Sequence, residues 1–294
     1  MVRQGPAKPP SLGSNPSATF YLVKFLLYIV STPIGNLEDI TQRALRILND
    51  CDAILCEDTR RTSILLDRYS ISKRLISYHK FKETQALDGI LSDLESGKNL
   101  ALVSDAGTPC ISDPGVRLAS ACAERGIPFT AIPGPCSLIE ALVLSGFETD
   151  RFQFIGFLPK KPEKTLRQIL FYPGATVVFE SPARLEHTLE SLARLAPCRR
   201  IAVAREMTKT YEECRRGTPT ELLAYYRARP PKGEIVLVIG PGDPPETPLD
   251  LEECVELLQE IHGLSLKDAI KYAARFLNIP KSAVYKKMHE PIRK

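Results

Sequence analysis

The amino-acid sequence predicts an α/β protein made of two α/β domains followed by a small helical module. Three observations carry this expectation. Short apolar runs alternate with amphipathic stretches from Leu26 to Gly240, the pattern of helices crossing over strands. At 294 residues and 44% hydrophobic, the chain can fill two medium cores. The run Gly240-Pro241-Gly242-Asp243-Pro244-Pro245 reads as a linker, and the charge pattern changes beyond it.

In chain order, residues 1–24 are rich in Pro, Ser and Gly and are expected to form a disordered extension. Residues 25–149 form the first domain. Leu26–Val30 is its opening strand, and Ile40, Ala44, Ile47, Leu48 and Cys51 follow helical spacing, with Asn36 as the expected cap. Strands are expected at Ala53–Glu57, Leu75–Ser77, Leu100–Ser104 and Phe129–Ile132. Helices are expected at Arg60–Arg68, around Leu87–Leu94, and between Pro114 and Gly126. This alternation implies a largely parallel sheet.

Residues 150–245 form the second domain, with strands at Phe152–Phe157, Thr176–Glu180, Ile201–Ala204 and Glu234–Gly240. Ser181-Pro182 starts a helix, and Thr218-Pro219-Thr220-Glu221 fits a capping box. One antiparallel pair is expected around Met207–Arg215. Residues 246–294 form a helical tail, acidic over 250–260 and basic after Gly263. A helix through Ala269–Leu277, a turn at Asn278-Ile279-Pro280 and a helix over Ser282–Met288 make it helix-turn-helix-like.

Composition narrows the function classes. A net charge of +4 is too mild to diagnose nucleic-acid binding by itself. The eight cysteines include no C-x-x-C pair, which points to reduced thiols in a cytoplasmic protein and to no metal site. The apolar run Phe20–Val30 is broken by Lys24 and far short of a membrane span, so no membrane partner is expected. No G-x-G-x-x-G follows the first strand and no P-loop or G-x-S-x-G elbow occurs, against a dinucleotide fold, an NTPase and a hydrolase.

Three loops draw attention. Ser31–Asn36, Ser104–Gly115 and Pro133–Ser137 all leave strands at the same predicted sheet edge, where open α/β sheets bind ligands. Asp105 and Asp113 bring acceptors to the longest of them, while Gly107 and Gly115 permit tight turns or close approach.

These loops also carry a resemblance. Together with Cys56–Arg60, Gly156–Pro159, Phe179–Arg184, Ala204–Lys209 and Lys232-Gly233-Glu234, they resemble the tetrapyrrole methylase superfamily, in its branch that methylates small-subunit ribosomal RNA. The match runs in order from about Leu26 to Gly240. It implies two α/β domains of the tetrapyrrole methylase type with S-adenosylmethionine in the interdomain cleft, in a cytoplasmic homodimer acting on the ribose 2′-hydroxyl of a 16S ribosomal RNA cytidine near the decoding centre. Pro33, Gly35, Asp105, Ala106, Gly107, Ile111, Ser112, Ser137, Phe157, Ala204 and Gly233 would line the cofactor site. In Tyr78-His79-Lys80-Phe81-Lys82-Glu83 the second histidine and the asparagine usual in this branch are replaced.

Methyl transfer from a sulfonium needs orientation and removal of the hydroxyl proton. The candidates are His79, Asp58 and Glu206 as base, with Arg60 or Lys209 stabilising phosphate or developing alkoxide. Lys160, Lys161, Lys164, Arg167, Arg215, Arg216 and the basic tail are candidate contacts to ribosomal RNA or the 30S subunit. The competing readings are a methylase of a tetrapyrrole or corrin precursor and a non-catalytic RNA-binding assembly factor.

Overall fold

The computed structural model describes residues 26–80, 82–242, 251–276 and 279–288. They divide into two compact units: the chain up to Pro33 with Leu37–Pro135, and Ile34–Asn36 with the chain from Cys136 onward. Along the chain, the main division between the units falls at Pro135/Cys136. The expected extension 1–24 and much of the linker lie outside the described residues.

The first unit contains β1 (Leu27–Val30), α1 (Gln42–Asp50), β2 (Ala53–Cys56), α2 (Thr59–Arg68), β3 (Arg74–Ser77), α3 (Glu83–Glu95), β4 (Leu100–Leu102), α4 (Val116–Arg125) and β5 (Phe129–Ile132). Its sheet has the order β3-β2-β4-β1-β5, and every pairing is parallel. Parallel strands are covered on both faces, which is why they read as short unbroken apolar runs. Leu27, Leu55, Leu100 and Leu102 pack with Leu91, Leu94, Leu118 and Cys122 of α3 and α4. The alternate residues Val30, Ile54, Cys56 and Ala101 pack with Ala44, Leu48, Leu65 and Leu66 of α1 and α2. The helix α1 is capped by Thr41, whose hydroxyl accepts from Ala44 N–H at 3.0 Å. Asn36 is not that cap, because Leu37–Asp39 forms a separate 3-10 turn ahead of it.

The second unit contains α5 (Ser137–Ser145), β6 (Phe152–Phe157), α6 (Glu163–Leu170), β7 (Ala175–Glu180), α7 (Pro182–Leu195), β8 (Ile201–Arg205), β9 (Glu213–Gly217), α8 (Pro219–Ala228) and β10 (Ile235–Ile239). The sheet order is β6-β7-β10-β8-β9. Only β6 and β7 run parallel; β10 is antiparallel to both β7 and β8, and β9 is antiparallel to β8. Antiparallel pairing therefore extends well beyond the single pair expected, because the last strand inserts between two earlier ones. The helix α5 packs Leu138, Ala141 and Leu142 on one sheet face, while α6, α7 and α8 cover the other. The capping box at Thr218 and Glu221 forms as the sequence predicts.

The tail forms α9 (Leu251–His262), α10 (Leu266–Phe276) and α11 (Lys281–Met288), with a small core of its own built on Val255, Ile270, Ala273 and Val284. Phe171, at the end of α6, packs against that core. Leu277, the expected end of the preceding helix, and Asn278 of the expected turn lie outside the described residues.

Candidate functional site

The loops after β1, β4 and β5 leave three adjacent strands at the carboxyl edge of the parallel sheet, and hydroxyl groups knit them together. Thr32 and Gly107 exchange backbone hydrogen bonds, Thr32 N–H to Gly107 O at 2.9 Å and Gly107 N–H to Thr32 O at 3.0 Å. The Thr32 hydroxyl donates to Ser104 O at 3.1 Å. Thr108 Oγ1 donates to Pro135 O at 3.1 Å and lies 3.0 Å from Ser31 Oγ. Gly134 comes so close that a Cβ there would stand 2.8 Å from the Cβ of Ser31, so the third loop approaches the first backbone to side chain.

Of the expected cofactor residues, Pro33 and Gly107 are buried, Asp105 and Ala106 are half-buried, and Ile111 and Ser112 are exposed. Ser112 and Cys110 both take left-handed backbone, φ 66° and 71°, conformations that non-glycine residues adopt only where surrounding contacts impose them.

Asp105 is the electrostatic centre of this edge. Its Oδ1 accepts the Asp58 N–H at 3.1 Å, and Oδ2 lies 3.6 Å from Arg61. Burial pushes the carboxyl of Glu57 upward, aided by the negative charge of Asp105 and opposed by His79 and Arg61. Burial likewise pushes Asp113 up to about 6, with Glu57 and Asp105 adding to it. Asp58 goes the other way. It caps α2 through Arg60 N–H at 2.9 Å and holds the Arg60 guanidinium at 2.8 and 3.1 Å, so its carboxyl drops to about 2. A carboxylate held like this is a weak proton acceptor. His79 follows β3 on the neighbouring strand end, and its carbonyl accepts the N–H groups of Lys82 and Glu83 that start α3.

In the second unit, Glu206 and Lys209 come together, each occupying the other. Lys209 Nζ lies 2.8 Å from Glu206 Oε1 and 3.0 Å from Glu234 Oε2. Glu206 also accepts the Glu234 N–H at 2.9 Å. The contacts with Lys209 and Glu234 lower the Glu206 carboxyl. Burial pulls Lys209 down, but its two carboxylate partners carry it above the usual lysine value. Gly35 belongs to this knot: a Cβ there would meet Lys209 Cγ at 2.5 Å, and the next N–H, of Asn36, donates to Thr208 Oγ1 at 3.0 Å. Gly233, at φ 85°, turns beneath Glu206.

Ser137 is half-buried at the start of α5. Ala204 is buried in the sheet core, on β8 where it pairs with Val236 of β10 and Cys214 of β9. Phe157 is 63% exposed. A bulge between Phe154 and Phe157, with Gly156 at φ 72°, re-aims it. As a result both phenylalanines meet the ring of Phe179, at 4.9 and 5.2 Å between centroids. Of the basic candidates, Lys160 and Lys161 are exposed. Arg215 stacks on Tyr225 at 3.5 Å, and Arg216 donates to the Ser145 carbonyl at 2.9 Å. Among the described residues no three His, Cys, Asp or Glu side chains are grouped to hold a metal, and no helix is long and apolar enough to cross a membrane.

Sequence reasoning passed over Glu57 and Glu234, and gave no role to Thr32, Ser104 and Thr108. Glu57, Thr32 and Ser104 show only as polar residues one or two positions past a strand end, Glu234 immediately precedes β10, and Thr108 sits within the loop after β4. Which loops they join depends on strand order.

The model of the family of tetrapyrrole (corrin/porphyrin) methylases matches residues 26–223. A ribosomal RNA small subunit methyltransferase I of Halalkalibacterium halodurans is 40% identical over 277 residues, 91% of this chain and 96% of that one. That of Escherichia coli O157:H7 is 42% identical over 268 residues, 88% of this chain and 93% of the relative. Among solved structures, uroporphyrin-III C-methyltransferase from Thermus thermophilus complexed with S-adenyl homocysteine aligns with a TM-score of 0.53 at 18% identity, covering 73% of this chain and 96% of that one. A cobalt-precorrin-4 methyltransferase aligns with a TM-score of 0.57 at 16% identity, over 73% and 94%. These two likenesses concern the fold.

Proposed function

Since the chain belongs to the tetrapyrrole methylase family, among its ribosomal RNA small subunit methyltransferase I members, we propose that it methylates the ribose 2′-hydroxyl of a cytidine in small-subunit ribosomal RNA. It is an S-adenosylmethionine-dependent methyltransferase, as that membership entails. The cytidine target, the 30S subunit or its RNA as partner, and action as a homodimer are the finer parts of the reading. They rest on the resemblance described above.

The observation that supports it most is the hydroxyl-knit triple loop at the carboxyl edge of β4, β1 and β5. Its donor set suits the methyl donor. Three carboxyl groups, Glu57, Asp105 and Asp113, lie within range of one another's charge, an environment complementary to a cation that also carries hydroxyl and amino donors. Pro33, Asp105, Ala106, Gly107, Ile111 and Ser112, all of the first unit, would take part in holding it.

When bound, S-adenosylmethionine supplies a methyl group on a good leaving group. The chain must then orient the ribose hydroxyl and take its proton. His79, just past the end of β3 and within range of the Glu57 charge, is the proposed base, while Asp58 and Glu206 hold Arg60 and Lys209. Glu57, near enough for its charge to interact with His79, would orient the imidazole and stabilise it once protonated. Arg60, whose side chain is 88% exposed, is suited to meet phosphate, whereas Lys209 is held by Glu206 and Glu234.

The test is transfer of labelled methyl from S-adenosylmethionine to small ribosomal subunits, with nuclease mapping of the product. The expected result is label in 2′-O-methylcytidine at one position, and a His79→Ala chain that turns over more slowly while binding the cofactor normally. Cofactor binding without label in the RNA would shift the substrate to a tetrapyrrole. Failure to bind the cofactor would leave a non-catalytic assembly factor.

A further inference from the structure

The loop 104–115 ends on a helix that cannot cap itself. The N-cap of α4 is Gly115, at φ 125°, and no side chain of the loop bonds to that helix end. The glycine is sterically required: a Cβ would stand 2.5 Å from Leu102 Cδ2 and 2.8 Å from Cys110 Sγ. The residue that most needs a capping side chain is therefore the one that can carry none.

The missing group comes from another helix. Glu83, first residue of α3, is only 8% exposed, and its Oε1 accepts the Gly115 N–H at 2.8 Å. A carboxylate at the first turn of α3 and at the start of α4 faces two helix ends that both favour negative charge. Its surroundings are closed. Tyr78 is fully buried beside it, near enough to feel the Glu83 charge, and burial followed by the charge of Glu83 pushes the Cys110 thiol up to about 11. Gly115 closes the turn in which Cys110 N–H bonds back to Pro114 O at 3.3 Å.

We propose that Glu83 is a positioning residue that caps α4 from α3 and thereby holds the Asp105–Ser112 loop in the shape that binds the methyl donor. This rests on the reading of that loop as part of the cofactor site.

The experiment uses the full chain and two substitutions. Glu83→Ala removes the acceptor; Glu83→Gln keeps an oxygen of the same reach without the charge. S-adenosylmethionine binding is followed by calorimetry, and methyl transfer to small ribosomal subunits is followed over a range of cofactor concentrations up to saturation. Glu83→Ala is expected to raise the Kd and KM for S-adenosylmethionine about tenfold, the scale of a lost cap, with kcat held within about threefold. Glu83→Gln should recover most of the affinity. A fall in kcat with KM unchanged would place Glu83 in the chemistry and overturn the proposal. So would a glutamine chain as impaired as the alanine chain, because an uncharged acceptor should still cap. Should the alanine chain not fold, the glutamine chain decides: affinity within threefold of the original supports capping, and a tenfold loss refutes it. An original chain that does not bind S-adenosylmethionine would sink the cofactor reading itself, whereas normal binding by all three chains would remove only the role of Glu83.

Discussion

Replacing Asp113 by Asn should stabilise the chain above pH 6 and leave its stability unchanged near pH 4. Asp113 is half-buried on the loop after β4, and burial, then the charge of Glu57, lift its carboxyl from 3.8 to about 6 against the pull of Ser104, with Asp105 adding least. In the unfolded chain the group ionises near 3.8. A folded value above the unfolded one means that ionisation opposes folding. The penalty is absent below pH 3.8, where both states hold the proton, grows as the pH rises to about 6, and is complete beyond it. A separation of about two pH units corresponds to about 3 kcal/mol without screening. The side chain is partly open to water, so about 1 kcal/mol is the expected value. Asparagine keeps the shape and the Ser104 interaction while removing the charge. The assay is thermal unfolding of both chains at pH 4 and pH 8 without cofactor. The substituted chain should melt about 2–4 °C higher at pH 8 and at the same temperature at pH 4. An equal gain at both values would mean that packing and not charge is responsible; a loss at pH 8 would refute the electrostatic account.

Two further predictions concern the second unit. The Glu180 carboxylate is buried and accepts from Ser181 N–H at 2.7 Å, the Thr188 hydroxyl at 2.7 Å and Arg184 at 2.8 Å. Glu180→Ala should therefore cost about 3 kcal/mol or more in urea unfolding, and a loss below about 1 kcal/mol would show that the network carries little of the fold. Gly233→Ala meets both a φ of 85° and a Cβ position 2.3 Å from the Glu206 carboxyl, so it should lower the melting point by the equivalent of about 2 kcal/mol; an unchanged melting point would mean that the turn yields and frees Glu206.

Much of the candidate site was legible because it is made of local chemistry. The loops Ser31–Asn36, Ser104–Gly115 and Pro133–Ser137 stand out by glycine, proline and hydroxyl content next to apolar runs, and the structure gathers their first-unit parts at one sheet edge. The roles within it were less legible. Asp58 and Glu206 look like free carboxylates in the sequence, but each is committed, Asp58 to the neighbouring Arg60 and Glu206 to Lys209 and the distant Glu234. Glu83 looks like one residue of an altered motif, yet its carboxylate accepts the N–H of Gly115, the N-cap of α4, 32 positions further on.

The same boundary divides the fold. Strand and helix positions in the first unit follow from composition, since strands buried on both faces must be unbroken apolar runs and helix ends are marked by residues such as Gly126, which takes the left-handed C-cap. Sheet order and strand direction follow from contacts between distant segments. Nothing near Ile235–Ile239 tells that strand to lie antiparallel between β7 and β8, because its side chains are apolar whichever way it runs. Nothing local assigns Ile34–Asn36 to the second unit either; burial of Ile34 with Leu138 and Val236 does. Backbone propensity and capping act over a few residues and can be read in the chain, whereas pairing direction and charge partnership are set by which surfaces meet once it has folded.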